Sequence, residues 1–409
     1  MLPVASIAIL LTTALASALD GDKPATGSVA TLIGSTSIPS STMDHSGLAG
    51  EVHPGFPHAR VGSIGSGLDC VDTFPGGAHL LAVNDRGPAD GAAPFHCRFQ
   101  RLTLRVDPAA PEAVSVALDA TEMLRRPDGK PFIGISSELG TFKDTSGETV
   151  SNRLDPEAIR RLPSGNVLIS DEYMPGVIEF DPHGAFVRAW PVPQAFRCQH
   201  PGPDEPAELP PAKGSGRQPN KGFEGMAITP SGTAWTLLQS PLLQDGALNA
   251  KGKRVGRNIR MLCLGATPGA SAMKQLVYPL ESPASGTCEL LALDENRFLT
   301  IERDGPAAKF RRIYLIDASQ ATDVSSVAAL PPDALPEGTN PVSKRMLVDL
   351  ADPSTGITRM PEKIEGLCFG PTLPDGRHTL VVASDNDMKA DETTQFWVFA
   401  LPEWASPKG

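Results

Sequence analysis

The chain has 409 residues, 40 prolines, 39 glycines, a formal net charge of −11 and 5% aromatic side chains. That acidity excludes the basic footprint of a nucleic-acid or anionic-membrane binder, and the turn-forming content fits an all-β chain. The length is enough to bury a large core, which must lean on Leu, Val, Ile and Ala.

Residues 1–18 read as an export signal: an apolar run over 4–15, too short to span a bilayer, then the small-x-small sequence Ala16-Ser17-Ala18. The run lacks a preceding Lys or Arg, so a buried N-terminal strand is the alternative. Residues 19–28 form a polar leader, and 29–409 read as one domain, secreted or periplasmic. No later run reaches membrane-spanning length. Residues 29–39 (VATLIGSTSIP) form a lone strand with no repeat of its own.

Residues 154–193 define the repeat. EAIRRL, VLISDEY, VIEF and FVRAW alternate with PSGN, MPG and DPHG, giving four short strands separated by turn-forming Pro, Gly, Asn and Asp. A four-stranded unit of about 40 residues is the size of a propeller blade and cannot bury both faces alone. Degenerate copies follow Leu68-Asp69-Cys70, Glu157-Ala158-Ile159, Glu224-Gly225-Met226, Glu289-Leu290-Leu291 and Glu365-Gly366-Leu367. The leading acids are 88, 67, 65 and 76 residues apart. Each copy has a second strand with a polar end: Asn84-Asp85-Arg86, Asp171-Glu172-Tyr173, Gln239-Ser240, Glu302-Arg303-Asp304 and Asp385-Asn386-Asp387. A five-bladed propeller is the economical reading, with six blades as the alternative. The last copy has three clear strands, and the N-terminal strand is expected to complete it and close the ring. Residues 125–153, 196–221 and 328–340 are expected as rim loops, the second an ordered excursion or a flap.

Six cysteines (Cys70, Cys97, Cys198, Cys263, Cys288, Cys368) in an exported chain predict one or two disulfides. No C-x-x-C supports zinc or thiol redox chemistry. G-x-S-x-G, the P-loop, H-E-x-x-H and R-H-G are all missing, so a hydrolase of this sequence is expected to use metal-activated water. His183, His200 and His378 sit in turn contexts and read as surface residues.

First strands line a propeller channel, so the five leading acids, Asp69, Glu157, Glu224, Glu289 and Glu365, are expected to converge at one mouth. Such a cluster needs shared protons, arginines or a cation. Three roles stay open: blade-to-blade latches, a hard-cation site of the Ca²⁺ type, and direct acid–base catalysis. Asp385-Asn386-Asp387, followed by Asp391 and Glu392, is oxygen-rich like a calcium loop. Ala390 stands where an EF-hand needs glycine, so a solvated turn is the competing reading.

Asn84-Asp85-Arg86-Gly87-Pro88, Asp155-Pro156-Glu157 with PSGNVLISDEY, and Asn220-Lys221-Gly222-Phe223-Glu224 recur in a known order. So do Gln239-Ser240-Pro241-Leu242, Glu302-Arg303, Lys363-Ile364-Glu365 and Ser384-Asp385-Asn386-Asp387. As a set spread over 67–401 the chain resembles the phytase-like family, also called esterase-like activity of phytase, a secreted or periplasmic bacterial group. The resemblance implies a β-propeller that hydrolyses phosphate or carboxylic esters of small molecules. Cys288 ahead of Glu289 departs from the pattern of the other copies. The expected ligands of a divalent cation, Ca²⁺ foremost, are Asp85, Glu157, Glu224, Glu365 and Asp385. Arg86, Arg303 and Glu302 are the expected catalytic groups, the arginines neutralising developing charge. The rival readings are a non-catalytic binding propeller and a metal-dependent lactonase.

Overall fold

A computed structural model describes residues 29–209, 214–251, 253–269, 273–305 and 309–407. The expected export signal (1–18) and polar leader (19–28) lie outside the described residues. Five four-stranded antiparallel sheets follow one another along the chain. Blade one holds Gly67–Phe74, Gly77–Val83, Arg98–Val106 and Val114–Met123. Blade two holds Pro156–Arg161, Val167–Asp171, Gly176–Phe180 and Phe186–Trp190. Blade three holds Phe223–Ile228, Ala234–Leu238, Asn258–Gly265 and Gln275–Pro279, and blade four Gly286–Ala292, Arg297–Arg303, Arg311–Asp317 and Ser343–Asp349. Blade five contributes Lys363–Phe369, Thr379–Asp385 and Thr394–Ala400. Its fourth strand is Thr31–Ile38, which pairs antiparallel with Thr394–Ala400 and closes the ring as the sequence predicts. The count is five blades, not six.

The core is the set of blade-to-blade interfaces. In each blade the second strand is buried on both faces, so successive side chains serve opposite neighbours. Leu80 and Ala82 pack with Val381, Ala383 and Val398 of blade five, whereas Leu81 and Val83 pack with Ile159 and Ile169 of blade two. Three further clusters join blades two to three, three to four and four to five. Few aromatics are needed because Leu, Val, Ile and Ala fill these interfaces. The turn between first and second strands is set by a left-handed glycine at Gly165, Gly232 and Gly376 (φ 92°, 86° and 87°).

The expected disulfides are not formed; all six cysteines are free thiols. Three of them have polar partners instead: Cys97 donates to Leu154 O at 3.3 Å, Cys70 to Asp72 O at 3.5 Å, and Cys288 meets Arg303 Nε at 3.0 Å. Segment 125–153 lies on one rim with a short hairpin, Thr141–Lys143 against Thr149–Ser151. Of segment 196–221, residues 196–209 and 214–221 are described, and they form an excursion pinned by the buried Glu208 carboxylate to Arg153 (3.3 Å) and to Arg217.

Candidate functional site at the channel mouth

Strand register decides which side chains reach the mouth. Leu68, Ile159, Met226, Leu290 and Leu367 pair with Ala82, Ile169, Thr236, Thr300 and Val382, so these are equivalent positions in the five blades. Two residues earlier on the first strand lie Ser66, Glu157, Glu224, Cys288 and Glu365. Three residues later on the second lie Asp85, Glu172, Gln239, Arg303 and Asp385. Six of these ten positions are acids and one is an arginine. In blades two to five a β-bulge falls at the first-strand position and turns it toward the mouth.

Asp69 and Glu289 therefore do not join Glu157, Glu224 and Glu365, contrary to the expectation of five converging acids. Glu289 is one residue past the ring position, level with Gly67, Ala158, Gly225 and Gly366. There the blades touch: a Cβ on Gly225 would lie 2.6 Å from Glu289 C, and one on Gly67 2.7 Å from Ala158 Cα. Glu289 is wholly buried and pairs at 2.8 Å with Arg160, which also donates to Leu68 O at 2.5 Å and Leu290 O at 2.7 Å. This ion pair plugs the channel. Asp69 lies toward the far mouth beside Arg160, accepting Arg161 N at 2.6 Å.

Each group at the near mouth is held differently. Arg303 pairs with Glu365, and Gln239 donates to Glu224. Lys363 faces three carboxylates: Asp85 at 3.6 Å, Asp385 at 3.3 Å and Asp387 at 2.5 Å. Arg86 pairs with Asp90, hydrogen-bonds Asn220, and has Nη1 3.3 Å from Asp155 Oδ2. Glu302 is turned away from the mouth, because strand neighbours alternate and Arg303 takes the inward side. Its carboxylate binds Tyr278 Oη (2.9 Å), Lys344 Nζ (2.7 Å), Glu281 N (2.6 Å) and Ser285 Oγ (2.7 Å) between blades three and four.

Blades two and five both set acid against acid at the ring, but Glu365 and Asp385 of blade five are met by Arg303 and Lys363, whereas Glu157 and Glu172 of blade two have no such ion pair among the described residues. With Asp155 they form a fully buried group whose carboxylate oxygens lie within 4.8 Å of one another. Among the described residues, Glu172 Oε1 has no hydrogen-bond partner and Asp155 Oδ2 has only the ion pair to Arg86. Burial, and then Glu224, Asp155 and Glu172, hold the Glu157 carboxyl well above its ordinary range. Glu224 is raised in the same way by burial, Glu172 and Glu365, and Asp155 by burial against the opposing pull of Arg86. Buried carboxylates without enough counter-charge must share protons or a cation.

An all-oxygen, all-carboxylate donor set with an orphaned buried oxygen fits a hard divalent cation. Of the expected ligands, Glu157 lies in this group and Glu224 adjoins it. Glu365, Asp85 and Asp385 face Arg303 or Lys363. Asp155 and Glu172 were not singled out from sequence, although Asp155-Pro156-Glu157 and the second-strand end Asp171-Glu172-Tyr173 carried the signal.

Two clefts flank the carboxylates. One, of about 460 Å³, is lined by Arg86, Ser136, Arg153, Tyr173, Arg217 and Asn220, among others. The other, of about 270 Å³, is lined by Lys221, Gln239, Ser240, Thr287, Cys288 and Arg303, among others. Asn220 and Lys221 separate them, so each cleft presents one of the two expected arginines.

A five-bladed propeller with an acid-lined mouth is the class of protein these observations define. The phytase-like family, described as esterase-like activity of phytase, matches residues 60–388, and the chain belongs to it. An uncharacterized secreted protein of Arthroderma benhamiae is 26% identical over 389 residues, covering 78% of this chain and 75% of that one. Among solved structures, the Malassezia sympodialis allergen Mala s 1 is similar at 9% identity and a TM-score of 0.33, covering 81% of this chain and 77% of the allergen. Virginiamycin B lyase from Staphylococcus aureus is similar at 10% identity and a TM-score of 0.29, covering 79% and 99%. Likeness at that level carries no argument about function. No helix among the described residues is long and apolar enough to cross a membrane.

Proposed function

We propose that this protein is an exported hydrolase of phosphate or carboxylic esters that works with one divalent cation, Ca²⁺ by its donor set, held by Asp155, Glu157 and Glu172. The observation that carries the reading is the buried, unpartnered Glu172 Oε1 facing two further carboxylates. When bound, a cation in such a site supplies Lewis acidity and a water of lowered pKa. The chain's own residues do the rest. Arg86 and Arg303 are held by Asp155 and Glu365 while lining the two clefts, so their positive charge is in place for an oxyanion before substrate arrives. Glu224, kept well above its ordinary range by burial and by Glu172 and Glu365, is suited to exchange a proton with a leaving group. The polar clefts favour a hydrophilic substrate over a long acyl chain.

The test is calcium titration of the purified chain by calorimetry, followed by a panel of phosphate esters, carboxylic esters and lactones with and without chelator. One cation per chain and chelator-sensitive turnover of an ester are expected, with the cation bound about a hundredfold more weakly and turnover reduced in Glu172→Gln. Turnover confined to lactones would move the assignment to a lactonase. Neither cation binding nor turnover would leave the mouth as a binding surface with structural acids.

A further inference from the structure

The mouth holds a second carboxylate triad, Asp85, Asp385 and Asp387, whose oxygens also converge within 4.8 Å. It adjoins the first, since Asp85 acts electrostatically on both Asp155 and Glu157. Two adjoining carboxylate triads give the mouth two positions at which positive charge is needed. The two triads differ in one respect. In the first, Arg86 forms an ion pair with Asp155 alone, whereas in the second the Lys363 ammonium meets all three acids.

Lys363 opens the first strand of blade five, two residues before Glu365, and pairs in register with Asp385. Its Nζ is met by Asp85 Oδ2, Asp385 Oδ2 and Asp387 Oδ1, one oxygen from each acid, which matches the three donors of an ammonium group. The other oxygens have partners of their own. Asp85 Oδ1 accepts Gly87 N at 3.1 Å, Asp385 Oδ1 accepts Asp387 N at 2.8 Å, and Asp387 Oδ2 pairs with Lys389 at 3.0 Å. The three oxygens turned inward are thus the ones a cation would take, and the lysine holds them.

We propose that Lys363 is a built-in cation occupying the second metal position of the mouth, so that the centre takes one divalent ion where its carboxylates could hold two. The proposal rests on the cation reading given above and adds a statement about stoichiometry. The ammonium keeps a fixed positive charge beside Glu365 that chelators cannot remove. Replacing it should convert a lysine pocket into a calcium pocket.

The experiment is calcium stoichiometry on the full chain by calorimetry, with elemental analysis after gel filtration. The wild type and Lys363→Met are compared, with Lys363→Arg as the charge-preserving control. The expected result is one calcium in the wild type and in Lys363→Arg, and two in Lys363→Met. A further Asp385→Asn substitution in Lys363→Met should remove the second ion alone. Two ions in the wild type, or no gain in Lys363→Met, would overturn the proposal. Should the wild type bind none, the cation reading of Asp155, Glu157 and Glu172 fails on its own. The Lys363 proposal is then read from the variant, where one ion supports it and none overturns it. If Lys363→Met folds only with millimolar calcium, that dependence is the same result. If it does not fold at all, Lys363→Gln, which keeps a hydrogen-bond donor, replaces it under the same criteria.

Discussion

Glu172→Gln separates a cation site from a structural latch by the sign of its effect. A latch stabilises the fold, so losing it lowers stability under every condition. Asp155, Glu157 and Glu172 instead crowd carboxylate oxygens within 4.8 Å, where each ionised pair costs about 3.5 kcal/mol at an effective dielectric near 20. The amide removes two of the three pairwise repulsions. Proton uptake by Glu157 already relieves part of that charge, so the net gain in chelator is set lower, at about 2 kcal/mol. Calcium reverses the order. At a thousand times its Kd, calcium stabilises the wild type by about 4.1 kcal/mol, and a variant binding a hundredfold more weakly by about 1.4 kcal/mol. A lead of about 2 kcal/mol in chelator thus becomes a deficit of about 0.7 kcal/mol in calcium. Urea denaturation monitored by tryptophan fluorescence, run in chelator and in calcium, reads both numbers. Destabilisation of Glu172→Gln by the same amount in both conditions would refute the cation reading and support the latch.

Three further outcomes follow from the same geometry. Glu157 and Glu224 hold protons in the fold that the unfolded chain releases above its ordinary carboxylate range, so cation-free stability falls as pH rises through and beyond that range. Saturating calcium should flatten this slope, and an unchanged slope would show that the ion binds elsewhere. Arg160→Met strands the buried Glu289 charge and should cost about 3–5 kcal/mol, most of it recovered in Arg160→Met/Glu289→Leu. A double variant no better than the single one would show that the plug is held by packing instead. Deleting 31–38 removes the strand paired with Thr394–Ala400 and opens the ring at blade five. Broad, non-cooperative melting is expected, and an intact sharp transition would mean that the strand is dispensable.

The fold was legible in the sequence because a blade repeats a local code: four apolar strands and turns marked by Pro, Gly, Asn and Asp. The site was legible only in part, for a reason found in the register. Aligning repeats on their acids placed Glu289 beside Glu224 and Glu365. The backbone aligns on the apolar residue after the bulge instead, and that puts Cys288 at the ring position and Glu289 among Gly67, Ala158, Gly225 and Gly366. A slip of one residue in a strand exchanges a mouth ligand for a buried plug. Repeat one slips by three, so Asp69 lies toward the far mouth while the ring position falls on Ser66. Glu302 shows the same rule within a strand, its carboxylate serving Tyr278 and Lys344 while Arg303 faces inward. Asp155 and Glu172 were in view as sequence, but only the folded chain shows that Glu172 Oε1 is buried without a hydrogen-bond partner among the described residues.

Backbone strain points to the same rim by an independent route. Among the described residues, the non-glycine residues with left-handed φ are Ser63, Ala89, Asp90, Asn220, Asp387 and Met388, at 48° to 60°. Each belongs to the near mouth. Ser63 O accepts Asp85 N at 3.2 Å, and Ser63 N donates to Asn386 Oδ1 at 2.8 Å. Ala89 and Asp90 shape the turn that carries the Arg86 partner, Asn220 binds Arg86, and Asp387 binds Lys363. Such conformations cost about 1–3 kcal/mol each and persist where surrounding contacts over-determine them. A propeller needs none of them to close its ring, since the blade turns use glycine where left-handed backbone is required. The strain is concentrated where Arg86, Lys363 and the carboxylates must be held against one another. That distribution is what a preorganised charged site requires and a set of interchangeable latches does not.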